Sequence, residues 1–313
     1  MQAKKGKNKK LLIGISLFAI ILGVVCWAVF WRGFDFYRPS KPVVCEEVPA
    51  NLKPTRFIAF GDFGEGTLFQ SVLGAQMAKT HEQTPFNMAL LLGDNIYPDG
   101  DIKRLGKTHF EDPYQGLIRD KVKFVAAIGD HDDHKGHQYD EMAYFKMPGA
   151  YYQTSDGPVD IFILNTTFFT RDPQQQAWLE KALSNSHAPW KIVAAHHPVY
   201  SSGRHGHQTA GLRRILEPIL IKHHADLYLA GHDHDYERFE PIQGVTYVIS
   251  GGGGSYLYDF KKIMPHSLVR IKTIHFLLFS ATSTDLWMKA LNRYGETVDC
   301  AHWHKAPAQN HST

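Results

Sequence analysis

Short apolar runs, each followed directly by a polar motif, recur through the middle of this chain. Runs of four or five apolar residues bounded by turn residues are typical of buried β-strands. Five runs of this kind are present: 57–60, 88–92, 124–128, 192–195 and 227–230. The sequence therefore predicts a sheet structure whose strands are covered on both faces.

Helical spacing of apolar residues fills the segments between these strands. It predicts helices over 67–79, 173–183 and 211–223, the second with Asp172 as N-cap and Pro173 at its first position. After four glycines at 251–254, strands are predicted again over 268–279, 284–290 and 296–302. Alternating strands and helices followed by a β-rich end predict an α/β fold.

The motifs that follow the strands carry metal-ligating side chains. They read GDFG at 61–64, GDNIY at 93–97, GDHD at 129–132, VAAH at 193–196 and GHDH at 231–234. Ligands of open α/β sheets collect outside the carboxyl ends of the strands, so these side chains are expected to converge. Two metal ions about 3.5–4 Å apart suit phosphoester hydrolysis, and a mixture of carboxylate and imidazole ligands suits such a pair.

In order and spacing the motifs resemble the purple acid phosphatase branch of the calcineurin-like metallophosphoesterases, and the small tartrate-resistant acid phosphatases above all. The resemblance runs from about residue 56 to 255 and includes GVTYVISGGGG at 244–254. It implies a four-layer α/β/β/α sandwich of two mixed sheets. It also implies two metal ions, a ferric ion with a divalent partner that is iron, zinc or manganese.

The resemblance assigns roles to individual residues. It implies Asp62, Tyr97 and His234 as iron ligands, Asp94 as the bridge, and Asp130, His196 and His232 as ligands of the divalent metal. The presence of Tyr97 favours iron, because a phenolate on ferric iron gives that family its colour. Further members of the site are His131 and His205, which contact the phosphate and protonate the leaving group, and Asp132, which is expected to orient His131.

The third motif departs from the family, which has asparagine at the position of Asp130. A carboxylate there lowers the formal charge of the metal cluster by one unit, weakening its attraction for a phosphate dianion and its Lewis acidity. Lower activity, a monoanionic diester substrate and a different second metal are open alternatives, as is neutralisation of Asp130 by His134 or Lys135. Beyond the glycines, Tyr256 and Tyr258 either border the substrate opening or are packed aromatic residues, and packing is the favoured interpretation.

The N-terminus predicts a membrane anchor. Five lysines fall within residues 1–10, and residues 11–31 carry no charge, enough for a helix of about 32 Å. The lysines are expected in the cytoplasm, and the domain that follows on the other side. A cleaved signal peptide is the rival interpretation, although no cleavage site of the usual kind precedes Arg32. A lipoprotein attachment at Cys26 has a poor sequence context.

The predicted organisation is therefore a basic tail at 1–10, a transmembrane anchor at 11–31, a proline-rich spacer at 32–54, a catalytic domain at 55–300 and a tail at 301–313. Without the five N-terminal lysines, the formal net charge changes from +3 to −2. A near-neutral domain gives no sign of nucleic-acid binding. Cys45 and Cys300 flank the domain, and a disulfide and two free thiols are both open.

The expected function is that of an extracytoplasmic acid phosphatase, acting on small phosphomonoesters with a metal-bound hydroxide. A metal-dependent phosphodiesterase or nucleotide pyrophosphatase is the second interpretation. A surface protein that binds metals without hydrolysis is the third. The sequence does not predict the oligomeric state.

The charge argument predicts the effect of Asp130→Asn. The cluster gains one positive charge, so we expect phosphate to inhibit more strongly and the turnover number to rise. Steady-state kinetics with p-nitrophenyl phosphate, with and without inorganic phosphate, measure both quantities. If neither changes, the charge of Asp130 does not control the site.

Overall fold

The computed structural model describes residue 37 and residues 39–306 of the chain. In this part, thirteen strands form two sheets. The strands are β1 (Thr55–Phe60), β2 (Met88–Leu91), β3 (Lys123–Ala126), β4 (Tyr152–Asp156), β5 (Val159–Ile163), β6 (Trp190–Ala194), β7 (Leu227–Ala230), β8 (Tyr236–Phe239), β9 (Thr246–Ser250), β10 (Ser267–Ile271), β11 (His275–Ala281), β12 (Asp285–Asn292) and β13 (Thr297–His304).

Both sheets are mixed. The first has the order β13-β12-β11-β1-β2-β3, in which β1, β2 and β3 are parallel. The second has the order β10-β8-β9-β7-β6-β5-β4, in which β5, β6, β7 and β9 are parallel. The five strands predicted before the motifs are all present, and the carboxyl ends of the parallel strands lead into the motifs.

Helices occupy the connections between the strands. They are α1 (Leu68–Gln83), α2 (Ile102–Gly106), α3 (Gln115–Arg119), α4 (Gln138–Tyr144), α5 (Pro173–Asn185) and α6 (Thr209–Lys222). Helix α5 begins as predicted, because the Asp172 carboxylate accepts hydrogen bonds from the backbone N–H groups of Gln174 and Gln175. The Thr67 hydroxyl caps α1 in the same way.

Three apolar clusters hold the layers together. One fills the space between the two sheets and includes Phe57 and Leu229. A second packs α1 and α3 on the outer face of the first sheet, and a third packs α5 and α6 on the outer face of the second. This arrangement confirms the predicted sandwich of two mixed sheets with helices outside.

The predicted strand over 268–279 is two strands in different sheets. Ile271 pairs with Tyr236 in the second sheet, whereas His275 pairs with Asn292 in the first. The chain changes sheet between them, and the His275 N–H bonds to the Gly252 carbonyl oxygen at 2.9 Å. No glycine or proline marks the break, and the local sign of it is the pair of polar residues Lys272 and Thr273 between two apolar runs.

The strand predicted over 296–302 is present as β13, which continues to His304. Cys45 and Cys300 form a disulfide, which attaches the predicted spacer to this edge strand. Ion pairs of Glu46 with His302 and of Glu47 with Lys289 join the same surfaces. The spacer is therefore part of the folded domain from Cys45 onwards.

The predicted membrane anchor at 11–31 lies outside the described residues, as do the basic tail and the chain beyond residue 306. Among the residues that the structure does describe, no helix has both the length and the apolar character needed to cross a bilayer.

Candidate metal centre

The motifs meet where the carboxyl ends of the two sheets face each other. The Gly61 N–H donates to the Ser250 carbonyl oxygen at 2.8 Å, and the Gly253 N–H donates to the Gly61 carbonyl oxygen at 3.0 Å. These bonds join the end of β1 in one sheet to the end of β9 in the other. The loops after β1, β2 and β3 therefore face those after β6, β7 and β9.

Oxygen atoms dominate one half of the site. The Tyr97 hydroxyl lies 2.7 Å from Asp94 Oδ2, 3.4 Å from Asp62 Oδ1 and 3.1 Å from His234 Nε2. His234 Nε2 also lies 3.4 Å from Asp62 Oδ1. The other two predicted iron ligands and the bridge thus all contact Tyr97.

Imidazoles dominate the other half. Asp130 Oδ1 lies 3.0 Å from His196 Nε2 and 3.2 Å from His232 Nδ1, and these two nitrogens are 3.2 Å apart. Asp94 Oδ1 lies 3.3 Å from His196 Nε2, so the Asp94 carboxylate contacts both halves, as the predicted bridge should. The structure brings all seven predicted ligands together, although their role as ligands stays a prediction.

Backbone carbonyls fix the orientation of two of these imidazoles. His196 Nδ1 donates to the Leu92 carbonyl oxygen at 3.0 Å, and His234 Nδ1 donates to the Tyr256 carbonyl oxygen at 2.7 Å. In the neutral form of each ring the proton is therefore on Nδ1, which leaves the Nε2 lone pair facing the site. Metal-binding histidines are oriented in this way.

The backbone adopts unusual conformations at the ligands themselves. Asp62, Asp94 and His232 have φ angles of 57°, 53° and 69°, in the left-handed region that side chains other than glycine rarely occupy. Gly93 has a φ of 87°, and a Cβ atom there would lie 2.7 Å from His196 Nδ1. Strain of this kind is concentrated at functional sites, where the surrounding structure supports it.

The electrostatics of the site fit cations. Asp62 and Asp94 are buried within reach of one hydroxyl group, and burying two carboxylates together is unfavourable without a compensating positive charge. Burial and the two carboxylates together raise the pKa of Tyr97. Burial would lower the pKa of His196, but Asp94 and Asp130 raise it. An oxygen-rich group beside an imidazole-rich group suits a trivalent and a divalent ion.

A family model for calcineurin-like phosphoesterases matches residues 55–236, which is more than half of the chain. The chain belongs to this family. The human tartrate-resistant acid phosphatase type 5 is 31% identical over 238 residues, and the match covers 63% of this chain and 72% of the human protein. The predicted resemblance is confirmed, and with it the hydrolase class of the relatives.

Two solved structures share the fold. A purple acid phosphatase from yellow lupin superposes with a TM-score of 0.72 at 21% identity, covering 82% of this chain and 55% of its own. GAP50, described as the anchor in the inner membrane complex of Plasmodium, superposes with a TM-score of 0.71 at 19% identity. That match covers 81% of this chain and 90% of GAP50.

The two predicted catalytic histidines of this family member lie beside different residues of the centre. The His131 ring is 4.6 Å from the Tyr97 ring, and His131 Nδ1 donates to the Pro98 carbonyl oxygen at 2.7 Å. The His205 ring is 4.4 Å from the His232 ring. Burial lowers the pKa of His205, and His232 lowers it further. A ligand at the centre would therefore lie near both imidazoles.

The expectation that Asp132 orients His131 is contradicted. Asp132 is buried, and its carboxylate accepts from the N–H groups of Asn95, Ile96 and Gly129 and from the Asn95 amide. It therefore shapes the loop that carries Asp94 and Tyr97. Burial, followed by the charge of Asp94, raises the pKa of Asp132 to about 7. Adjacency in sequence misled the prediction, because successive loop residues point in different directions.

The suggested neutralisation of Asp130 by its sequence neighbours is also contradicted. Lys135 pairs with Asp99 at 2.8 Å, and the His134 ring stacks against the His131 ring at 5.8 Å. The additional neighbour of Asp130 is His197, whose Nε2 lies 3.7 Å from Asp130 Oδ1. The sequence signal that could have identified His197 was its position directly after His196.

Two other residues of the site were missed or misread. The Tyr258 ring stacks on the His234 ring at 4.1 Å, so Tyr258 borders the centre and is not merely a packed aromatic residue. Asp233 is buried, accepts from the His205 N–H at 2.8 Å and also accepts from the Ser201 hydroxyl. It holds the loop that presents His205. Its place inside the GHDH motif was the available signal.

The hydrogen bonds of Asp132 predict a structural role. Asp132→Ala removes the acceptor of several buried donors, so we expect the free energy of unfolding to fall by about 3–5 kcal/mol. Denaturant titration measures this quantity. Asp133→Ala is the matched control, because Asp133 is the adjacent aspartate and is more exposed. Equal stability of the two variants would contradict the structural role.

Proposed function

We propose that this chain is a metal-dependent acid phosphatase that hydrolyses small phosphomonoesters. The observation that supports it most strongly is the convergence of seven side chains into an oxygen-rich and an imidazole-rich group that share Asp94. Asp62, Tyr97 and His234 would hold ferric iron, and Asp130, His196 and His232 a divalent iron, zinc or manganese. When bound, the two metals would screen the phosphate charge and lower the pKa of water near them.

The protein's own residues supply positioning and proton transfer. His131 lies beside Tyr97 and His205 lies beside His232, so both are placed to bind oxygens of a phosphate at the centre. His205 is suited to protonate the leaving oxygen. A histidine whose pKa lies below 6.5 carries that proton only in acid, so activity that depends on it falls as the pH rises through this lowered pKa.

A phosphodiesterase or nucleotide pyrophosphatase is the second candidate, and Asp130 is the observation that favours it. The carboxylate gives the centre less positive charge than an asparagine would. A diester carries one negative charge fewer than a monoester dianion, so it loses less attraction. A third possibility, metal binding without hydrolysis, remains an outcome of the test below.

We also propose that residues 11–31 anchor the protein in a membrane, with the lysines in the cytoplasm and the phosphatase domain outside. The uncharged run at 11–31 supports this placement. The Cys45–Cys300 disulfide supports it as well, because disulfides persist in oxidising compartments and are rare in the cytosol.

One preparation of the full chain tests the proposed activity. We expect about two metal ions per chain including iron, a violet colour, and faster hydrolysis of p-nitrophenyl phosphate than of bis-p-nitrophenyl phosphate. Tyr97→Phe should abolish the colour, because the phenolate is its source. Tyr256→Phe is the control, since Tyr256 is a nearby exposed tyrosine outside the proposed ligand set.

Faster cleavage of the diester would replace the first candidate with the second. Two bound metals with no hydrolysis of either ester would support a non-hydrolytic protein. A preparation that binds no metal would contradict all three.

The proposed anchor predicts a difference between the full chain and a chain that begins at residue 32. The full chain should stay in membranes after a carbonate wash, and the shortened chain should be released. In intact cells, an added protease should reach the phosphatase domain of the full chain. A full chain that washes off the membrane would contradict the proposed anchor. A domain that is protected from the protease would contradict the proposed orientation.

A further inference from the structure

The carboxylate of Asp130 is the least constrained member of the centre. Its side chain is 36% exposed, whereas those of Asp62 and Asp94 are buried. Within residues 39–306, the hydrogen bonds and ion pairs found for this carboxylate are all to imidazoles, and none is to a backbone N–H group. Its orientation therefore depends on the rings around it.

Two of the three rings are predicted ligands themselves. His196 Nε2 and His232 Nδ1 lie 3.0 and 3.2 Å from Asp130 Oδ1 and 3.2 Å from each other, so all three atoms face one point. His197 Nε2 lies 3.7 Å from the same oxygen but does not belong to this cluster of ligand atoms. His197 thus contacts the centre through Asp130.

Thr166 fixes the proton of the His197 ring. The buried Thr166 hydroxyl oxygen accepts from the His197 backbone N–H at 2.9 Å and lies 3.0 Å from His197 Nδ1. In the described part of the chain, Nδ1 is the one acceptor found for the hydroxyl proton. Nδ1 therefore accepts that proton, and the ring's own proton is on Nε2. The neutral His197 ring directs an N–H group toward Asp130.

Packing holds the ring in this place. The centroid of His197 is 5.1 Å from that of His196 and 4.5 Å from that of His232. The Tyr228 hydroxyl donates to the His197 carbonyl oxygen at 2.6 Å. A ring that is fixed by packing can orient a carboxylate that has few other contacts.

We propose that His197 is a positioning residue for the divalent-metal site, whose Nε2–H group, 3.7 Å from Asp130 Oδ1, attracts that oxygen and keeps it beside His196 and His232. The separation is longer than a hydrogen bond, so the attraction is electrostatic and leaves the lone pairs of that oxygen free for the metal. The proposal rests on the proposed metal centre. It explains how this chain uses a carboxylate at Asp130, because the positive end of the N–H dipole offsets part of the carboxylate's charge.

Zinc affinity tests this proposal independently of catalysis. The full-length protein is equilibrated against zinc buffers and its bound zinc is counted, together with a thermal unfolding curve for each variant. His197→Leu removes the donor, so we expect the affinity for the more weakly bound zinc to fall about tenfold or more. His197→Gln places an amide N–H near the position of Nε2 and should recover most of that loss.

A double-mutant cycle with Asp130→Asn distinguishes positioning from packing. If His197 acts through the carboxylate, His197→Leu should change zinc affinity far less when Asp130 is already asparagine. His223→Leu is the matched control. His223 directly follows α6 and is another partly buried histidine, and its Nε2 lies 3.4 Å from the Glu180 carboxylate, away from the centre. It should leave zinc affinity unchanged.

The outcomes separate the two proposals. An equal loss of affinity in both Asp130 backgrounds, or no rescue by glutamine, would mean that His197 contributes only packing. Wild-type protein that binds two zinc ions but does not respond to His197→Leu would overturn this inference and leave the metal centre intact. Wild-type protein that binds no zinc would overturn both.

Discussion

The structure depends on the close burial of negative charge where two sheets meet. Asp62 and Asp94 are almost inaccessible to solvent, and a single tyrosine hydroxyl touches both. Such an arrangement is unfavourable unless positive charge compensates it, and imidazoles surround it on the side of the second sheet. The backbone bonds between Gly61 and the end of β9 hold the two sheets together at this point. The fold therefore buries negative charge that two bound cations would neutralise.

The local backbone conformation also places charged side chains at this point. Left-handed conformations at Asp62, Asp94 and His232 turn their side chains inward directly after the strands end. Each such residue costs about 1–3 kcal/mol, and the apolar layers on either side of both sheets supply the stability that supports this strain. Stability and chemistry are thus divided between the strands, which are apolar, and the loops, which are polar.

The sequence predicted most of this architecture because strand ends and ligand motifs coincide. Apolar runs of four or five residues predicted β1, β2, β3, β6 and β7. Parallel strands of one sheet bring their carboxyl ends to the same edge of that sheet. The prediction failed where contacts are not local. No glycine or proline separates β10 from β11, and the polar pair Lys272 and Thr273 between them did not by itself reveal a change of sheet. Asp132, Lys135 and His197 were misjudged or missed for a related reason: neighbours in sequence do not reveal which side chains meet across loops.

The two halves of the centre differ in rigidity. His234 is tied to the Tyr256 carbonyl and stacked on Tyr258, so the oxygen-rich half is fixed by backbone and by packing. The imidazole-rich half contains Asp130, the exposed carboxylate whose orientation depends on neighbouring rings. A change of residue type is better tolerated in a half that can adjust. An aspartate can therefore occupy position 130 without disturbing the fold, and its chemical consequences depend on the ring that faces it, His197.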